Sequence, residues 1–188
     1  MPDKDYQKKL ERERLRYYTK RRKKREDYYK NELIKPFIVP DEFGYWFSGF
    51  ADGEASFIIR PNGKRWVSTR FILGLRADDV MVLKYIQSQL GFGILSYHLR
   101  TRNESRNTKP QYRLTIDKKG DCYKLVKLFD RYPLKTKKAK DYAIWKEAIL
   151  KRGITRFHNV YNIEEILSLA KRLKRIRQFK EVKNYAGI

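Results

Sequence analysis

The chain has 188 residues, enough for one folded domain with a true core, and its 45 Lys and Arg against 22 Asp and Glu give a net charge of +23. This excess predicts a polyanionic partner, nucleic acid first and an anionic membrane surface second, and an aromatic content of 14% argues against a disordered basic protein. The single cysteine, Cys122, excludes an internal disulfide and a cysteine-based zinc cluster. We expect no membrane-spanning segment and no secretory signal, and hence an intracellular protein that binds nucleic acid.

The first 35 residues are charged almost throughout, with fourteen Lys and Arg against seven Asp and Glu and a peak at residues 20–25. The tyrosines in this stretch form no sustained apolar stripe, so we expect a loose helix or a disordered segment. Residues 1–38 are therefore interpreted as a basic N-terminal arm or leader, separate from a domain at residues 39–188. Two roles stay open: an arm that follows phosphates without reading sequence, or a solvated tail with no specific role.

A first helix is predicted over about residues 42–53, with Asp41 as its N-cap. It contains most of a short apolar segment at residues 46–57, which reads WFSGFADGEASF. Gly49 and Gly53 fall on one face of this helix, and a face without side chains lets another backbone approach closely.

Two acids, Asp52 and Glu54, fall where this first helix would end, in a position to help hold a divalent metal. From the spacing alone, the alternative is a glycine-weakened buried helix with two solvated acids. The residues therefore leave both interpretations open at this point.

The period then changes from helical to alternating. Residues 56–60 and 66–76 are predicted as the two strands of a hairpin, joined by a Pro-Asn-Gly-Lys turn. In the second strand the apolar residues Phe71, Leu73 and Leu75 share one face. The other face is basic and aromatic, and its residues are Trp66, Ser68, Arg70 and Arg76.

A second unit of the same kind follows, with a helix over 79–90 that Asp79 begins and Gly91 ends. The next hairpin has arms at residues 93–100 and 111–117, with an apolar face at Tyr112, Leu114 and Ile116. Its polar face carries Gln111, Arg113, Thr115, Ile94, Ser96, His98 and Arg100. Three more helices are predicted at about 120–132, 137–151 and 163–180, the last with an Asn162/Glu165 capping box.

This order predicts an α+β fold with the pattern αββαββα and an extra C-terminal helix. Two hairpin–helix halves indicate one antiparallel four-stranded sheet, saddle-shaped, with helices on one face. The uncovered face would carry the basic alternate residues, and its width suits a DNA groove.

Three segments, in order, carry a resemblance to a known family. The segment WFSGFADGEASF resembles the signature of the LAGLIDADG homing endonucleases, the LGFG segment at 90–93 is similar to their helix-to-strand junction, and FDRYPLKTKK at 129–138 is similar to their third-helix end and basic turn. The resemblance covers about residues 43–152. It implies a LAGLIDADG domain at 39–188, with the αββαββα core at 39–152 and a C-terminal helical segment at 153–188. Residues 1–38 match no pattern.

The resemblance implies a metal-dependent endonuclease that cuts both strands of a long pseudo-palindromic DNA. Because the chain carries one copy of the signature, it also implies a homodimer in which two signature helices pack on the dyad through small residues. The interface residues implied are Ser48, Gly49, Asp52 and Gly53, with Asp52 either structural or facing the dyad. An organelle-encoded protein, mitochondrial or chloroplast, that promotes mobility of its own intron is expected, with no membrane partner.

The catalytic residues that the resemblance implies are Glu54, Lys137 and Arg76. Glu54 takes the metal-ligand position, where Mg²⁺ is expected and Mn²⁺ or Ca²⁺ would substitute in binding. It replaces the Asp often found there, and Ala55 replaces the final Gly. Lys137 takes the position near the scissile phosphate, although Lys135 and Lys138 are alternatives and a solvated turn is another.

Arg76 takes the polar position near the end of the second strand, where the alignment allows a slip of one residue. Neither His98 nor His158 has a partner in a metal-binding spacing. The DNA-binding residues expected on the open face of the sheet are Ser56, Ile58, Arg60, Trp66, Ser68, Arg70, Arg76, Ser96, His98, Arg100, Gln111, Arg113 and Thr115.

Two further functions stay open at this stage. A non-cleaving nucleic-acid binder, such as an RNA maturase that assists splicing of its own intron, would share the fold and the charge, with intron RNA as a partner. A basic ribosome-associated structural protein would be monomeric and would have no discrete DNA target.

Overall fold

Ten helices and strands follow the predicted order in a computed structural model, which describes residues 4–62, 66–99, 109–152 and 163–178. The elements are α1 (Lys4–Ile34), α2 (Asp41–Glu54), β1 (Ala55–Asn62), β2 (Trp66–Arg76), α3 (Val80–Leu90), β3 (Ile94–His98), β4 (Gln111–Ile116), α4 (Lys119–Arg131), α5 (Lys138–Arg152) and α6 (Ile163–Ile176). Among these described residues, no helix is both long and apolar enough to span a membrane.

The four strands form one antiparallel sheet in the order β1-β2-β4-β3. Leu73 lies between Ala55 on β1 and Leu114 on β4, so the two hairpins join through their second strands. Phe57 and Phe71, which pair across β1 and β2, are both buried under the helices. Because alternate residues face opposite sides, the intervening residues point away from the helices. The predicted α+β architecture, with helices on one face, is confirmed.

An aromatic cluster fills the space between the sheet and the helices. The ring of Phe47 on α2 lies 6.1 Å from that of Phe71 and 5.7 Å from that of Phe129 on α4. The Phe57 ring on β1 contacts Phe129 at 5.9 Å and Trp145 on α5 at 5.2 Å. Such rings bury large apolar areas and prefer these tilted and offset geometries. The core therefore joins α2, α4 and α5 to the first hairpin.

The ends of the helices agree with the predictions in part. Gly91 ends α3 in the left-handed conformation (φ 72°), as predicted. The predicted N-cap at Asp41 is wrong, because Pro40 precedes the helix and Asp41 is its first residue. The Asp41 carboxylate pairs instead with Arg131, at 2.8 Å. The last helix ends at Ile176 rather than at residue 180, and the Asn162 of the predicted capping box lies outside the described residues.

The charged N-terminal stretch is a helix, α1, over Lys4–Ile34. It joins the body at its C-terminal end, where the Lys127 ammonium donates a hydrogen bond to the Lys35 carbonyl. Next to this bond, the ring of Phe37 packs 5.5 Å from that of Phe92. Of the two states predicted for this stretch, the structure shows the helix.

A glycine in α2 leaves room for a neighbouring ring. A methyl group at Gly44 would lie 2.4 Å from the ring of Tyr132, whereas one at Gly120 in α4 would meet nothing within 4 Å. We expect Gly44→Ala to lower the free energy of unfolding by about 1–3 kcal/mol, because the buried ring must shift. Gly120→Ala should leave it unchanged or slightly raised. Urea unfolding followed by tryptophan fluorescence measures both, and equal stability of the two variants would contradict the packing described.

Candidate functional site

Glu54 is the last residue of α2 and is exposed where the helix meets the sheet. The helix ends because Ala55 adopts an extended backbone (φ −77°, ψ 152°), while its N–H still bonds to the Ala51 carbonyl. A carboxylate at a helix C-terminus adds to the partial negative charge of the last carbonyls. This position therefore attracts a cation.

Asp52, two residues earlier, holds a distant segment against the end of α2. Its carboxylate accepts hydrogen bonds from the Lys135 N–H at 2.6 Å and from the Thr136 hydroxyl at 2.8 Å. The Thr136 N–H is a third donor, at 3.3 Å. These contacts lie within the chain and agree with the structural alternative for Asp52, and its place at a dimer face stays a prediction.

An open cleft of about 500 Å³ lies beside this contact. Four basic residues line it, three of them at the start of α5 and one just after α6. The lining residues are Asp52, Ser56, Thr136, Lys137, Lys138, Lys140, Asp141, Ile176 and Arg177.

The three lysines considered for the position near the scissile phosphate are placed differently relative to the cleft. The side chain of Lys137 is exposed and lines the cleft, and its role near a bound phosphate stays a prediction. Lys138 is half-buried and donates a hydrogen bond to the Ala55 carbonyl, so it is committed to the protein itself. Lys135 contributes its backbone N–H to Asp52 and is not part of the lining. Of the three, Lys137 is the one free to approach a ligand in the cleft.

Two cations, one in α5 and one just after α6, hold the edge strand β1 where it follows Glu54. Lys138 donates to the Ala55 carbonyl, and the Arg177 guanidinium donates to the Phe57 carbonyl at 2.6 Å. Arg177 also pairs with the buried Asp141 at 2.7 Å. The sequence contained no signal for Arg177, because it lies beyond the segment that carries the family resemblance.

Arg76 lies at the same end of the sheet as Glu54, three residues beyond Leu73, which pairs with Ala55. Its side chain is exposed and forms an ion pair with Asp78. The structure thus places Arg76 near the predicted end of β2, on the margin of the open face, and its catalytic role stays a prediction.

The predicted DNA-binding residues that the structure describes share the open face of the sheet. The pairs across the strands are Ile58 with Arg70, Arg60 with Ser68, Ser96 with Arg113, His98 with Gln111, and Gln111 with Arg76. Ser56 and Thr115 each pair with Ile72, from the two strands that flank β2. Trp66 is the first residue of β2, and Arg100 lies outside the described residues. Ile72 and Gly74 were missed, although their even positions in β2 were a sufficient signal.

Short hydrogen bonds join neighbours on this open face. The Ser96 hydroxyl and the His98 ring nitrogen Nε2 lie 3.0 Å apart, and Arg113 donates to the Gln111 amide oxygen at 3.5 Å. These residues lie in rows across β3 and β4, so a polyanion lying on this face would meet several donors at once.

The small residues of α2 divide between two sides of the helix. Gly49 and Gly53 are exposed, and a methyl group at either would meet nothing within 4 Å. The aromatic residues Tyr45 and Trp46 continue this exposed face, at 66% and 43% exposure. Ser48 is buried and donates to the Tyr132 carbonyl at 2.8 Å, which corrects the expectation that it lies at the dimer face.

A metal ion at Glu54 would need oxygen ligands from beyond one chain. Within the described residues, no group of three or more His, Cys, Asp or Glu side chains could hold one. The carboxylates that line the cleft, Asp52 and Asp141, are bonded within the chain, and Glu54 is an exposed carboxylate next to that lining. This donor set fits Mg²⁺ if water, phosphate oxygens or a second copy of the chain complete the shell, since Mg²⁺ commonly keeps several waters.

The family model for LAGLIDADG endonuclease matches residues 47–149 of this chain. A probable intron-encoded endonuclease of Schizosaccharomyces pombe, Cox1-I1b, is 32% identical over 144 residues, which cover 72% of this chain and 35% of the relative. The uncharacterized mitochondrial protein RF1 of Saccharomyces cerevisiae is 31% identical over 133 residues, covering 69% and 25%. The chain thus spans about a third or less of the length of these relatives.

Solved structures also match. The homing endonuclease I-TnaI is 26% identical, with a TM-score of 0.53, over 71% of this chain and 94% of its own. The LAGLIDADG meganuclease I-AabMI, solved bound to uncleaved DNA, is 25% identical, with a TM-score of 0.56, over 68% of this chain and 43% of its own. The matched unit therefore makes up nearly all of the first structure and less than half of the second.

The different environments of the two acids predict different effects on folding. We expect Asp52→Asn to lower the free energy of unfolding by about 1–3 kcal/mol. The amide nitrogen of asparagine is a donor, and it would replace an oxygen that now accepts hydrogen bonds. Glu54→Gln, at an exposed position, should change it by less than about 0.5 kcal/mol. Chemical denaturation of both variants measures this, and a larger loss in Glu54→Gln would reverse the two assignments.

Proposed function

The chain belongs to the LAGLIDADG endonuclease family, and from this membership we propose that it is a site-specific homing endonuclease that cuts double-stranded DNA. The observation that carries the proposal is the position of Glu54, exposed at the end of α2 between Asp52 and Ser56, which line the cleft together with Lys137. A hydrolase acting on a phosphodiester needs a ligand for a cation, a positive charge beside the phosphate and a surface that holds the duplex. This chain has a residue or surface for each.

The open face of the sheet is the proposed DNA-binding surface. Arg70 and Arg113 occupy central positions on it, opposite Ile58 and Ser96. Arginine pairs well with guanine, and glutamine, here Gln111, pairs well with adenine in the major groove. The alternating pattern supports sequence readout by several side chains at once.

A homodimer is the proposed working form. The exposed face of Gly49 and Gly53 permits two copies of α2 to pack closely, and Tyr45 and Trp46 extend that apolar surface. A two-fold axis through this face gives a pseudo-palindromic target. It also brings the two Glu54 carboxylates together, which supplies the second acidic ligand that one chain lacks.

The proposed cofactor is Mg²⁺, with Mn²⁺ or Ca²⁺ as substitutes in binding. When bound, such an ion activates a water and neutralises charge on the phosphate. Glu54 would hold it, and Lys137 would stabilise charge on the phosphate from the cleft wall. Arg76 is proposed to contribute a further positive charge from the end of β2.

Mobility of its own intron, in an organelle such as the mitochondrion, is proposed from the character of the relatives. An RNA maturase is the less favoured function, because the fungal relative Cox1-I1b is a probable endonuclease. The chloroplast and an intron-RNA partner have no support beyond the initial expectation.

Removing the carboxylate of Glu54 tests the proposed chemistry. The substrate is a plasmid that carries the intronless form of the gene in whose intron the protein is encoded. On this plasmid, Glu54→Gln should lower the rate of Mg²⁺-dependent double-strand cleavage by at least about 100-fold, because the cation loses its ligand. DNA affinity, measured by gel shift, should be retained. Glu42→Gln, an exposed acid at the other end of α2, is the matched control and should cut normally. If Glu54→Gln cuts as well as wild type, the proposed site is wrong.

Blocking the bare face of α2 tests the dimer. The wild-type protein should have twice the chain mass in light scattering, and Gly49→Leu should be a monomer, because the added side chain keeps the helices apart. Gly120→Leu, also in open space but on α4, should remain dimeric. A wild-type protein that is monomeric both alone and on DNA would contradict the homodimer.

A further inference from the structure

The basic helix α1 lies outside every part of the proposed endonuclease site. It carries thirteen Lys and Arg against six Asp and Glu, a net charge of +7, with six cations in succession at residues 20–25. At 31 residues it is about 46 Å long. No family feature accounts for it, since the matched model begins at residue 47.

Every side chain of α1 that the structure describes is exposed. A helix without a buried apolar face receives little stabilisation from tertiary packing. Within the run at residues 20–25, the helical neighbours Lys20 and Lys24 carry like charges, as do Arg21 and Arg25, and such pairs destabilise a helix. A polyanion lying along the helix removes this repulsion.

The tyrosines of α1 whose side chains the structure describes, Tyr17 and Tyr18, offer no clear stacking surface for unpaired bases. Arg14 lies over the ring of Tyr18, and Arg21 lies over the ring of Tyr17, each at 5.9 Å. Single-strand binding commonly relies on free aromatic faces, whereas duplex binding without sequence preference relies on phosphate contacts. The cation-covered rings therefore favour a duplex over a single strand.

The attachment of α1 places it apart from the DNA-binding face. Its C-terminal end is fixed to Lys127 of α4, and α4 packs on the helix-covered side of the sheet, where the Cys122 thiol approaches the Thr69 carbonyl at 3.9 Å. The attachment point of α1 thus lies on the opposite side of the sheet from the open face.

We propose that α1 is a second DNA-binding surface, which contacts the phosphates of duplex DNA outside the recognition site without reading sequence. The choice of duplex DNA rests on the proposed function. Each neutralised phosphate contributes about 0.9 to the slope of log affinity against log salt concentration, so the arm adds affinity that is strong at low salt and weak at high salt. It would hold the protein on DNA during the search for its target.

Two variants with equal charge changes test this proposal. The arm variant combines Lys20→Gln, Arg21→Gln, Lys23→Gln and Lys24→Gln, and the control combines Lys171→Gln, Arg172→Gln, Lys174→Gln and Arg175→Gln on α6. All eight side chains are exposed on helices, and glutamine keeps the helix propensity close to that of lysine and arginine. Binding of a random-sequence 30-bp duplex is followed by fluorescence anisotropy between 50 and 200 mM salt.

The arm variant should lose at least tenfold in affinity at 50 mM salt, and its salt slope should fall by about two to four, whereas the control should lose less than about threefold. Equal losses in both variants, or none in the arm variant, would overturn the proposal. So would a loss confined to a single-stranded RNA of the same length. Cleavage of the target at 200 mM salt, measured separately, should persist in the arm variant, so a failed arm is distinguishable from a failed endonuclease.

Acetylation of the wild-type protein is a second test that needs no variant. Random-sequence duplex should protect Lys20, Lys23 and Lys24 from acetic anhydride more than it protects Lys171 and Lys174 on α6. Protection of the α6 lysines with no protection on α1 would also overturn the proposal.

Discussion

The carboxylate of Asp52 joins the two segments on which the site depends. It accepts hydrogen bonds from the backbone of Lys135 and Thr136, so the end of α2 and the start of the basic turn cannot move apart without leaving those donors unsatisfied. Ser48, one turn back, donates to the Tyr132 carbonyl. A helix held at two successive turns presents its last residue, Glu54, in a defined place beside the cleft.

These contacts also determine which side of α2 stays exposed. One side of the helix, with Phe47, enters the aromatic core, and a second side, with Ser48 and Asp52, is fixed to the segment before α5. With 3.6 residues per turn, the remaining side carries Gly49 and Gly53, and no other described residue of the chain comes within 4 Å of a methyl group placed there. The open space at these glycines thus results from the packing of the other two sides of the helix against the core and against the segment before α5.

The sequence was sufficient for the elements and for the faces of the sheet, because alternation in β2 and β4 is visible without the fold. It placed Arg70 and Arg113 on one surface correctly. It was not sufficient for Ser48 and Asp52, whose partners lie more than 80 residues away along the chain. Arg177 could not be found at all, because a guanidinium that holds a strand carbonyl leaves no pattern in the sequence.

The large excess of cations includes groups in three parts of the molecule: the open sheet face, the cleft with Lys137, and α1. A net charge of +23 opposes folding through self-repulsion, and the buried area of the aromatic core around Phe57 and Trp145 helps to offset it. The proposed DNA contacts use different groups of cations. Guanidinium groups on the sheet face can form hydrogen bonds with base edges, whereas Lys137 can contact a single phosphate and α1 a continuous row of phosphates. DNA bound at these three places, as proposed, would relieve the repulsion and so would stabilise the fold.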